Sequence, residues 1–206
     1  MERRHVLAVL AEKVDTPSAA NRLLKLLRQI MAHAVELEMR PDNPFIGVKP
    51  YKVDGEGFHT WTEDEIDRFY EVHRPGTVAH LAMCLMIFTG AARSDAVALG
   101  WGNVRDGRLT YRRKKTCRSS NLVVDLPIRP ELAAVLDELP RDGFTFLQTA
   151  QGKSRSPNGL GNAMRRWCDH ARLPECSSHG LRKACARRLA EAGATTYEIA
   201  AVTGHA

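Results

Sequence analysis

The end of the sequence places an arginine and two histidines close to predicted helix boundaries. His179 and Arg182 are three residues apart in "SSHGLRKACARRLAEAG", a stretch whose pattern predicts a helix. Both side chains therefore project from the same side of its first turn. The free N–H groups at a helix N-terminus favour anions, and an arginine fork beside an imidazole would suit a phosphate. The same pair would equally suit the surface of a basic helix.

The second histidine follows a predicted helix stop. Thr195 and Glu198 form a capping box at the start of the last helix, and Gly204 is placed to end it. His205 comes directly after this glycine, so we expect a rigid backbone to hold its side chain facing outward. It could belong to the same phosphate site or simply contact the negative end of the helix dipole.

A further arginine occupies a turn in "FTGAARSDAVALGW". The apolar helix before it ends at Gly90, and Arg93 stands ahead of the next helix. Because apolar segments flank it on both sides, we expect this guanidinium to be largely buried. Burying it is costly unless it is fully paired. Asp95 is one candidate partner, and a docked phosphate is the other.

Positive charge is concentrated in two blocks of the chain. The net charge is +6 and the pI is about 9.2. Seven basic residues and one acidic residue lie between Arg105 and Arg118, and nine basic and two acidic residues lie between Lys153 and Arg188. Such blocks favour a polyanionic partner, most simply a nucleic acid, although a solvated basic surface would have the same composition.

The cysteines indicate neither a disulfide framework nor a metal site. Their number is odd, and no Cys-x-x-Cys pair occurs among them. Cys84 and Cys185 lie in apolar helical patterns, where core thiols are expected. Cys168, Cys176 and His179 have no fourth ligand at a zinc-like spacing, so we predict no metal. The first apolar run is too short for a signal peptide or a membrane span. We therefore expect a cytoplasmic protein of a reducing compartment, without a membrane partner.

The elements that must position these residues divide into two regions. Residues 1–50 contain a long amphipathic helix after Thr16 and Pro17, and its apolar stripe needs a partner surface. Residues 51–60 belong to a stretch rich in proline and glycine and are predicted to form a linker. A second region, 61–206, begins with the capping-box pair Thr62 and Glu65.

The second region is predicted to be mostly helical with one small sheet. Leu109 and Tyr111, and then Leu122, Val124 and Leu126, alternate with polar residues as strand residues do. A polar turn separates the two runs. The fold class is therefore mainly α with a small antiparallel β-hairpin or sheet, an α+β arrangement.

Four of these motifs together resemble a known family. "TGAARSDAVALGW", "KKT", "HGLR" and the terminal "TGHA" occur in the order and approximate spacing of the tyrosine recombinases, or phage integrases. The resemblance runs from about Thr60 to Ala206. It implies an integrase-like catalytic domain at 61–206, and the helix within 16–50 is similar to the end of that family's DNA-binding core-binding domain, so 1–50 would be a partial domain.

The resemblance also implies roles for individual residues. Arg93 and Arg182 would clamp the scissile phosphate. Lys115 would protonate the leaving 5′ oxygen of DNA, with the adjacent Lys114 as second choice. His179 would take part in proton transfer, and His205 would hydrogen-bond the phosphate. This chemistry requires neither a metal nor a nucleotide cofactor, because the covalent intermediate conserves the energy of the broken bond.

The attacking group of the family does not match any residue of this sequence. Its tyrosine lies about nine residues beyond the "GH" pair, whereas this sequence has one residue after His205. Tyr51, Tyr70, Tyr111 and Tyr197 occupy other positions. We therefore expect the catalytic domain to be truncated before the nucleophile segment and the chain as given to be inactive. The alternative is a DNA-binding fragment or remnant of an integrase that does not cleave DNA.

The expected partner is double-stranded DNA. Contacts with it are predicted for basic residues of the two blocks, namely Lys114, Arg112, Arg113, Arg118, Lys183 and Arg165. The resemblance implies a tetramer on paired DNA sites, whereas a chain without the exchanged C-terminal segment could be a monomer in solution. A type IB topoisomerase shares the chemistry, but the short chain favours the integrase branch. An unrelated basic helical protein, such as an RNA-binding domain, would match these motifs only by chance.

Overall fold

The computed structural model describes residues 2–53, 57–114, 122–141 and 143–204. The chain divides into two compact units, Met1–Glu56 and Gly57–Ala206. The division lies inside the 51–60 segment for which the proline and glycine content predicts a linker. In the described part of the chain, no helix combines the length and the apolar character that crossing a bilayer requires.

The N-terminal unit contains two helices and a following segment of turns and irregular structure. Helix α1 spans Arg3–Ala11, and α2 spans Pro17–Glu36 with Thr16 as its N-cap and Pro17 in its first turn, as predicted. Arg28 of α2 donates hydrogen bonds to the carbonyl oxygens of Phe45 (3.3 Å) and Val48 (2.8 Å). These bonds hold the segment around Phe45 and Val48 against α2. The unit has a core of its own, made by Val6, Leu10, Ala20, Leu24, Phe45 and Val48.

The second unit is built mainly from helices. They are α3 (Glu63–Val72), α4 (Val78–Thr89), α5 (Arg93–Ala96), α6 (Pro130–Asp137), α7 (Pro157–His170), α8 (Ser178–Glu191) and α9 (Thr196–Thr203). Helix α4 is apolar on almost every side and packs against α8 and α6. A helix without a polar face is stable only when it is surrounded by other elements, which explains the central position of α4.

Two capping boxes were predicted correctly. Thr62 Oγ1 accepts from the backbone N–H of Glu65, whose carboxylate accepts from the N–H of Thr62 at 2.8 Å. Thr195 and Glu198 repeat the arrangement at the start of α9, with 2.7 Å between the Thr195 nitrogen and the Glu198 carboxylate. Each box satisfies two N–H groups that a helix start leaves without an intrahelical partner.

A small antiparallel sheet accompanies the helices, as the fold class predicts. Strands β1 (Val104–Arg105), β2 (Arg108–Arg112) and β3 (Val123–Pro127) pair in the order β1-β2-β3. Leu109 pairs with Leu126 and Tyr111 with Val124, and all four side chains are buried. The predicted alternation thus gives the buried face of each strand, because residues two apart share one face. The short strand β1 was not predicted from the sequence.

The start of α8 packs closely against the segment that enters the second unit. Trp61 is fully buried and donates from Nε1 to the carbonyl oxygen of Ser177 at 2.8 Å. Gly180 lies against the same segment, and a Cβ at this position would overlap the carbonyl oxygen of His59 and lie 2.9 Å from Cδ1 of Trp61. The absence of a side chain at position 180 therefore allows α8 to approach.

We expect Gly180→Ala to destabilise the protein by about 2 kcal/mol, because overpacking against backbone costs about 1–3 kcal/mol or more. A gain of at most about 1 kcal/mol in helix propensity opposes this loss. Urea unfolding followed by circular dichroism would measure it. Gly102→Ala is the matched control, since a Cβ there meets nothing within 4 Å. Equal unfolding midpoints for the two variants would contradict the packing argument.

Candidate functional site

A cleft of about 640 Å³ lies between α5, α7 and the start of α8. Its described lining contains four arginines and one histidine, and no carboxylate side chain is part of that lining. The charged members are Arg93, Arg113, Arg165, Arg182 and His179. Such a lining creates a positive potential inside a concave space, which concentrates anions. Of the sequence-predicted catalytic residues, the cleft brings together Arg93, His179 and Arg182.

Arg182 lies at the floor of the cleft and is only 7% exposed. Its guanidinium donates to the carbonyl oxygen of Gly90 at 2.6 Å and to that of Thr203. These carbonyls belong to the C-terminal ends of α4 and α9, which Gly90 and Gly204 terminate in the left-handed conformation. Two helix ends thus converge on one guanidinium, where their carbonyls favour a cation.

The sequence alone also allows Arg182 to lie on the surface of a basic helix. The structure buries it instead. Burial, and then the nearby guanidinium of Arg113, lower the pKa of Arg182. An anion in the cleft would oppose both effects, because a nearby negative charge stabilises the protonated guanidinium.

His179 stands at the rim of the cleft, in the first turn of α8. Its ring is exposed and lies 4.5 Å from the ring of Phe58, measured between centroids. Ser177 begins the helix and accepts a hydrogen bond from the N–H of Gly180 at 3.3 Å. The imidazole is therefore accessible to a substrate, and the helix start orients it.

The expectation that Arg93 is largely buried is wrong. Arg93 is the first residue of α5, and it is exposed. Its guanidinium extends across Gly161 of α7, where a Cβ would overlap it. The carboxylate of Asp95 faces Arg113 instead, so the pairing with Arg93 that the sequence allows is replaced by another.

Arg113 occupies an unexpected position. The sequence predicts a surface contact with DNA, whereas the structure places Arg113 in the cleft lining with 6% exposure. Its Nη1 donates to the carbonyl oxygen of Gly204, and its Nε lies 3.7 Å from Oδ2 of Asp95. The strand alternation could have revealed this, because Tyr111 points inward and the residue two positions later shares its face.

Two other predicted DNA contacts bind the protein's own backbone. Arg165 of α7 donates to the carbonyl oxygens of Leu173 (2.8 Å), Pro174 (2.6 Å) and Cys176 (2.9 Å). Lys183 donates from Nζ to the carbonyl oxygen of Phe58 at 2.7 Å. Both side chains therefore hold the segments on either side of the cleft.

The remaining predicted residues divide into two groups. Arg112 and Lys114 are exposed at the end of β2 and just after it, and the N–H of Lys114 donates to Oδ1 of Asp95 at 3.0 Å. Lys115, Arg118 and His205 lie outside the described residues. Their assignments stay predictions from the sequence.

The tyrosines do not contribute to the described lining of the cleft. Burial raises the pKa of Tyr111 to about 12 and also raises that of Tyr70. Tyr197 is 88% exposed on α9, and Tyr51 belongs to the N-terminal unit. None of the three tyrosine hydroxyls of the second unit is thus placed by the described structure to attack a group bound in the cleft.

One group of side chains has the composition of a metal site. His59, Glu65 and Cys176 have ligand atoms within 4.8 Å of one another. Nε2 of His59 lies 2.7 Å from the Glu65 carboxylate. Burial, and then the charge of Glu65 and a hydrogen bond to it, raise the pKa of the Cys176 thiol. A protonated thiol and an imidazole that both donate to one carboxylate explain the cluster without an ion.

Nearly all of the second unit matches the model of a known protein family. The model of the phage integrase family matches residues 59–206. No curated protein sequence shows significant similarity to this chain.

Several solved structures share the fold over nearly the whole chain. A lambda integrase (75–356) dimer bound to a COC′ core site has a TM-score of 0.84 at 17% identity, covering 100% of this chain and 79% of that one. A lambda integrase tetramer bound to a Holliday junction gives 0.82 at 16% identity, covering 100% and 64%. The Tn1549 transposon integrase in complex with a circular intermediate DNA gives 0.74 at 17% identity, covering 99% and 76%. This chain thus spans less than two thirds of the chain in the tetramer.

Proposed function

Because this chain belongs to the phage integrase family of tyrosine recombinases, we propose that it acts in site-specific DNA recombination by cutting and rejoining DNA through a 3′-phosphotyrosine. The observation that carries the proposal is the composition of the cleft. Four arginines and a histidine line it, and no carboxylate belongs to the described lining. Such a site suits the phosphate of a nucleic acid backbone.

The proposed chemistry is a transfer of the phosphoryl group between two oxygens. A tyrosine hydroxyl attacks the scissile phosphorus, the bond to the 5′ oxygen breaks, and a 3′-phosphotyrosine forms. Lys115 donates a proton to the departing 5′ oxygen, and His179 accepts the proton that the attacking tyrosine hydroxyl loses. Rejoining reverses these steps with the 5′ hydroxyl of another strand, so that no external energy source is needed.

Arginine side chains stabilise the transition state of this transfer. Arg182 at the floor and Arg93 at the rim direct N–H donors toward the non-bridging oxygens, where negative charge grows at the pentacoordinate phosphorus. Donors that are held in place before the reaction need no reorganisation during it, which makes them effective. His205 would add a further hydrogen bond.

The described lining of the cleft contains no tyrosine that could supply the attacking hydroxyl. The four tyrosines of residues 1–206 lie outside the described lining of the cleft. We therefore propose that the attacking hydroxyl belongs to a tyrosine encoded beyond Ala206. A DNA-binding remnant without cleavage activity is the alternative. A cleft without a tyrosine in its described lining is also what such a remnant would have.

Double-stranded DNA is the proposed partner, and a tetramer on paired DNA sites is the proposed assembly. The lambda integrase structures similar to this chain are a dimer on a core site and a tetramer on a Holliday junction. The net charge of +6 and the two basic blocks support attraction to a polyanion. The N-terminal unit would contribute to DNA binding, as the resemblance implies.

A nicked suicide substrate tests the function directly. The chain is produced together with all residues that its gene encodes after Ala206 and is incubated with DNA whose cleaved end diffuses away. We expect a covalent protein–DNA adduct that survives denaturing electrophoresis, because loss of the 5′ hydroxyl prevents rejoining. The 206-residue chain is the comparison and should bind the same DNA without forming an adduct.

Two results separate the candidates. If the extended chain binds DNA but forms no adduct, the enzyme is rejected and the DNA-binding remnant is supported. If neither chain binds DNA in low salt, both candidates fail, since the basic cleft and blocks predict salt-dependent binding.

A further inference from the structure

We propose that Arg113 is a phosphate-binding residue of the cleft and acts beside Arg182 at its floor. As a contact to the scissile phosphate of DNA, this role rests on the proposed function. As an anion-binding role, it can be tested without DNA. The ligand chemistry is that of a phosphate monoanion or dianion held by two guanidinium groups.

The first support is the burial of two like charges in one place. Arg113 is 6% exposed and Arg182 is 7% exposed, and both line the same cleft. Burial, and then the positive charge of Arg113, lower the pKa of Arg182, so the two cations repel each other. Buried charges of one sign are unfavourable unless opposite charge balances them.

The second support is incomplete neutralisation. Asp95 is the carboxylate that faces Arg113, and its Oδ2 lies 3.7 Å from Nε of the arginine. Because this distance exceeds that of a hydrogen bond, Asp95 neutralises Arg113 only in part. The described lining of the cleft contains no carboxylate, so an anion in the cleft would balance the remaining positive charge.

The third support is an unsatisfied donor. Nε of Arg113 is buried and has no hydrogen-bond partner among the described residues, and Oδ2 of Asp95 likewise has none. Buried polar atoms are almost always hydrogen-bonded, so an exception needs an explanation. A phosphate oxygen in the cleft would supply an acceptor for this N–H.

In the described lining of the cleft, the start of α5 contributes no carboxylate, because Asp95 of the same helix faces Arg113 and is not part of that lining. Ala92 is half-buried there and has only a methyl group, whereas the next residue, Arg93, extends from the exposed rim. A phosphate bound to Arg182 would therefore contact a second guanidinium on the side of the cleft next to the sheet. That guanidinium is Arg113, one residue beyond β2.

A purely structural role for Arg113 is the competing explanation. Its Nη1 donates to the carbonyl oxygen of Gly204 at the end of α9, which would by itself justify a buried arginine. The two roles predict different responses to an added anion. A structural arginine gains nothing from phosphate, whereas a phosphate-binding arginine changes its hydrogen bonding.

The experiment titrates inorganic phosphate into the 206-residue protein and follows the Nε–H signals of arginine side chains by NMR. The Arg113 signal is assigned by its loss in Arg113→Lys. We expect it to move downfield with saturation, because the N–H gains an acceptor. Calorimetry of Arg113→Gln should show phosphate binding weakened by about 10-fold or more, as expected for the loss of a charge-assisted pair. Arg113→Lys keeps the positive charge and should therefore retain part of the phosphate affinity that Arg113→Gln loses.

Arg108→Gln is the matched control. Arg108 is on the same sheet, but it is exposed and paired with Asp125 at 3.0 Å. Its loss should leave phosphate binding unchanged. If Arg113→Gln does not fold, the NMR titration of the unaltered protein still decides, since an Nε–H signal that does not move overturns the proposal.

The outcome is distinguishable from failure of the proposed function. Phosphate binding that depends on Arg113 would stand even if the extended chain formed no adduct with DNA. Conversely, adduct formation at an unchanged rate in a folded Arg113→Gln variant of the extended chain would overturn the role of Arg113. The recombinase would remain supported in that case.

Discussion

Arg182→Ala in the extended chain is expected to lower strand cleavage at saturating DNA by about 10²–10³-fold, the loss typical of removing one preorganised donor from a charged transition state. Arg182 is at the floor of the cleft, where burial strengthens its interaction with a developing negative charge. The measurement is single-turnover adduct formation on a suicide substrate. Overall DNA affinity should change little, because many other basic side chains contribute to it.

The same substitution should also destabilise the fold. Arg182 donates to the carbonyl oxygens of Gly90 and Thr203 and so holds the ends of α4 and α9 together. Each hydrogen bond from a charged donor contributes about 1.5–3 kcal/mol. We therefore expect the free energy of unfolding to fall by about 3 kcal/mol, which thermal unfolding of the variant would reveal.

Arg182→Lys separates the two effects, because a lysine keeps the charge but cannot reach both carbonyls and a phosphate with a planar fork. We expect cleavage well below that of the unaltered protein, even at temperatures where the variant is fully folded. Cleavage at the normal rate by folded Arg182→Ala would remove this residue from the site.

Asp95→Ala is expected to cost about 3–5 kcal/mol of stability, the range measured when one partner of a buried ion pair is removed. Asp95 is 2% exposed, and its carboxylate faces Arg113. It also accepts from the N–H of Lys114 and from the hydroxyl of Ser94. Its loss would leave two buried arginines without this counter-charge. Chemical unfolding monitored by tryptophan fluorescence measures the change.

Asp125→Ala is the control on the same sheet. Asp125 pairs with Arg108, but both side chains are about half exposed, so solvent screens the pair. We expect the unfolding midpoint of this variant to stay close to that of the unaltered protein. A double variant, Asp95→Ala with Arg113→Met, should recover part of the lost stability because both charges are removed together. A cost for Asp95→Ala no larger than that for Asp125→Ala would contradict the buried pairing.

Much of the secondary structure is determined by short stretches of the sequence. The capping boxes at Thr62 and Thr195 depend on side chains three residues apart, and both were predicted. Gly204 ends α9 in the left-handed conformation, which a residue without Cβ adopts at little cost. The buried face of each strand follows from alternation along it. In each case the residues that form the pattern are close together in the chain, so the order of residue types is sufficient.

The family, too, could be recognised from the sequence. The four motifs between about Thr60 and Ala206 suggested it, and the match of the family model to residues 59–206 confirms it. The cleft brings Arg93, His179 and Arg182 together, and the catalytic roles that the motifs imply for them stay predictions. The order of the motifs indicates the family because proteins that share a fold have the same helices and strands in the same order along the chain.

Only the tertiary structure decided which basic side chains face the cleft and how they are paired. From the sequence, Arg93 was the buried arginine and Asp95 its candidate partner, whereas the structure exposes Arg93 and pairs Asp95 with Arg113 from the sheet. Arg165 likewise binds backbone carbonyls instead of facing outward. Long flexible side chains can reach several partners that are distant in the chain. The free-energy cost of burying an unpaired charge determines which of these partners is bound. That selection depends on how the helices and the sheet pack, which no local pattern encodes.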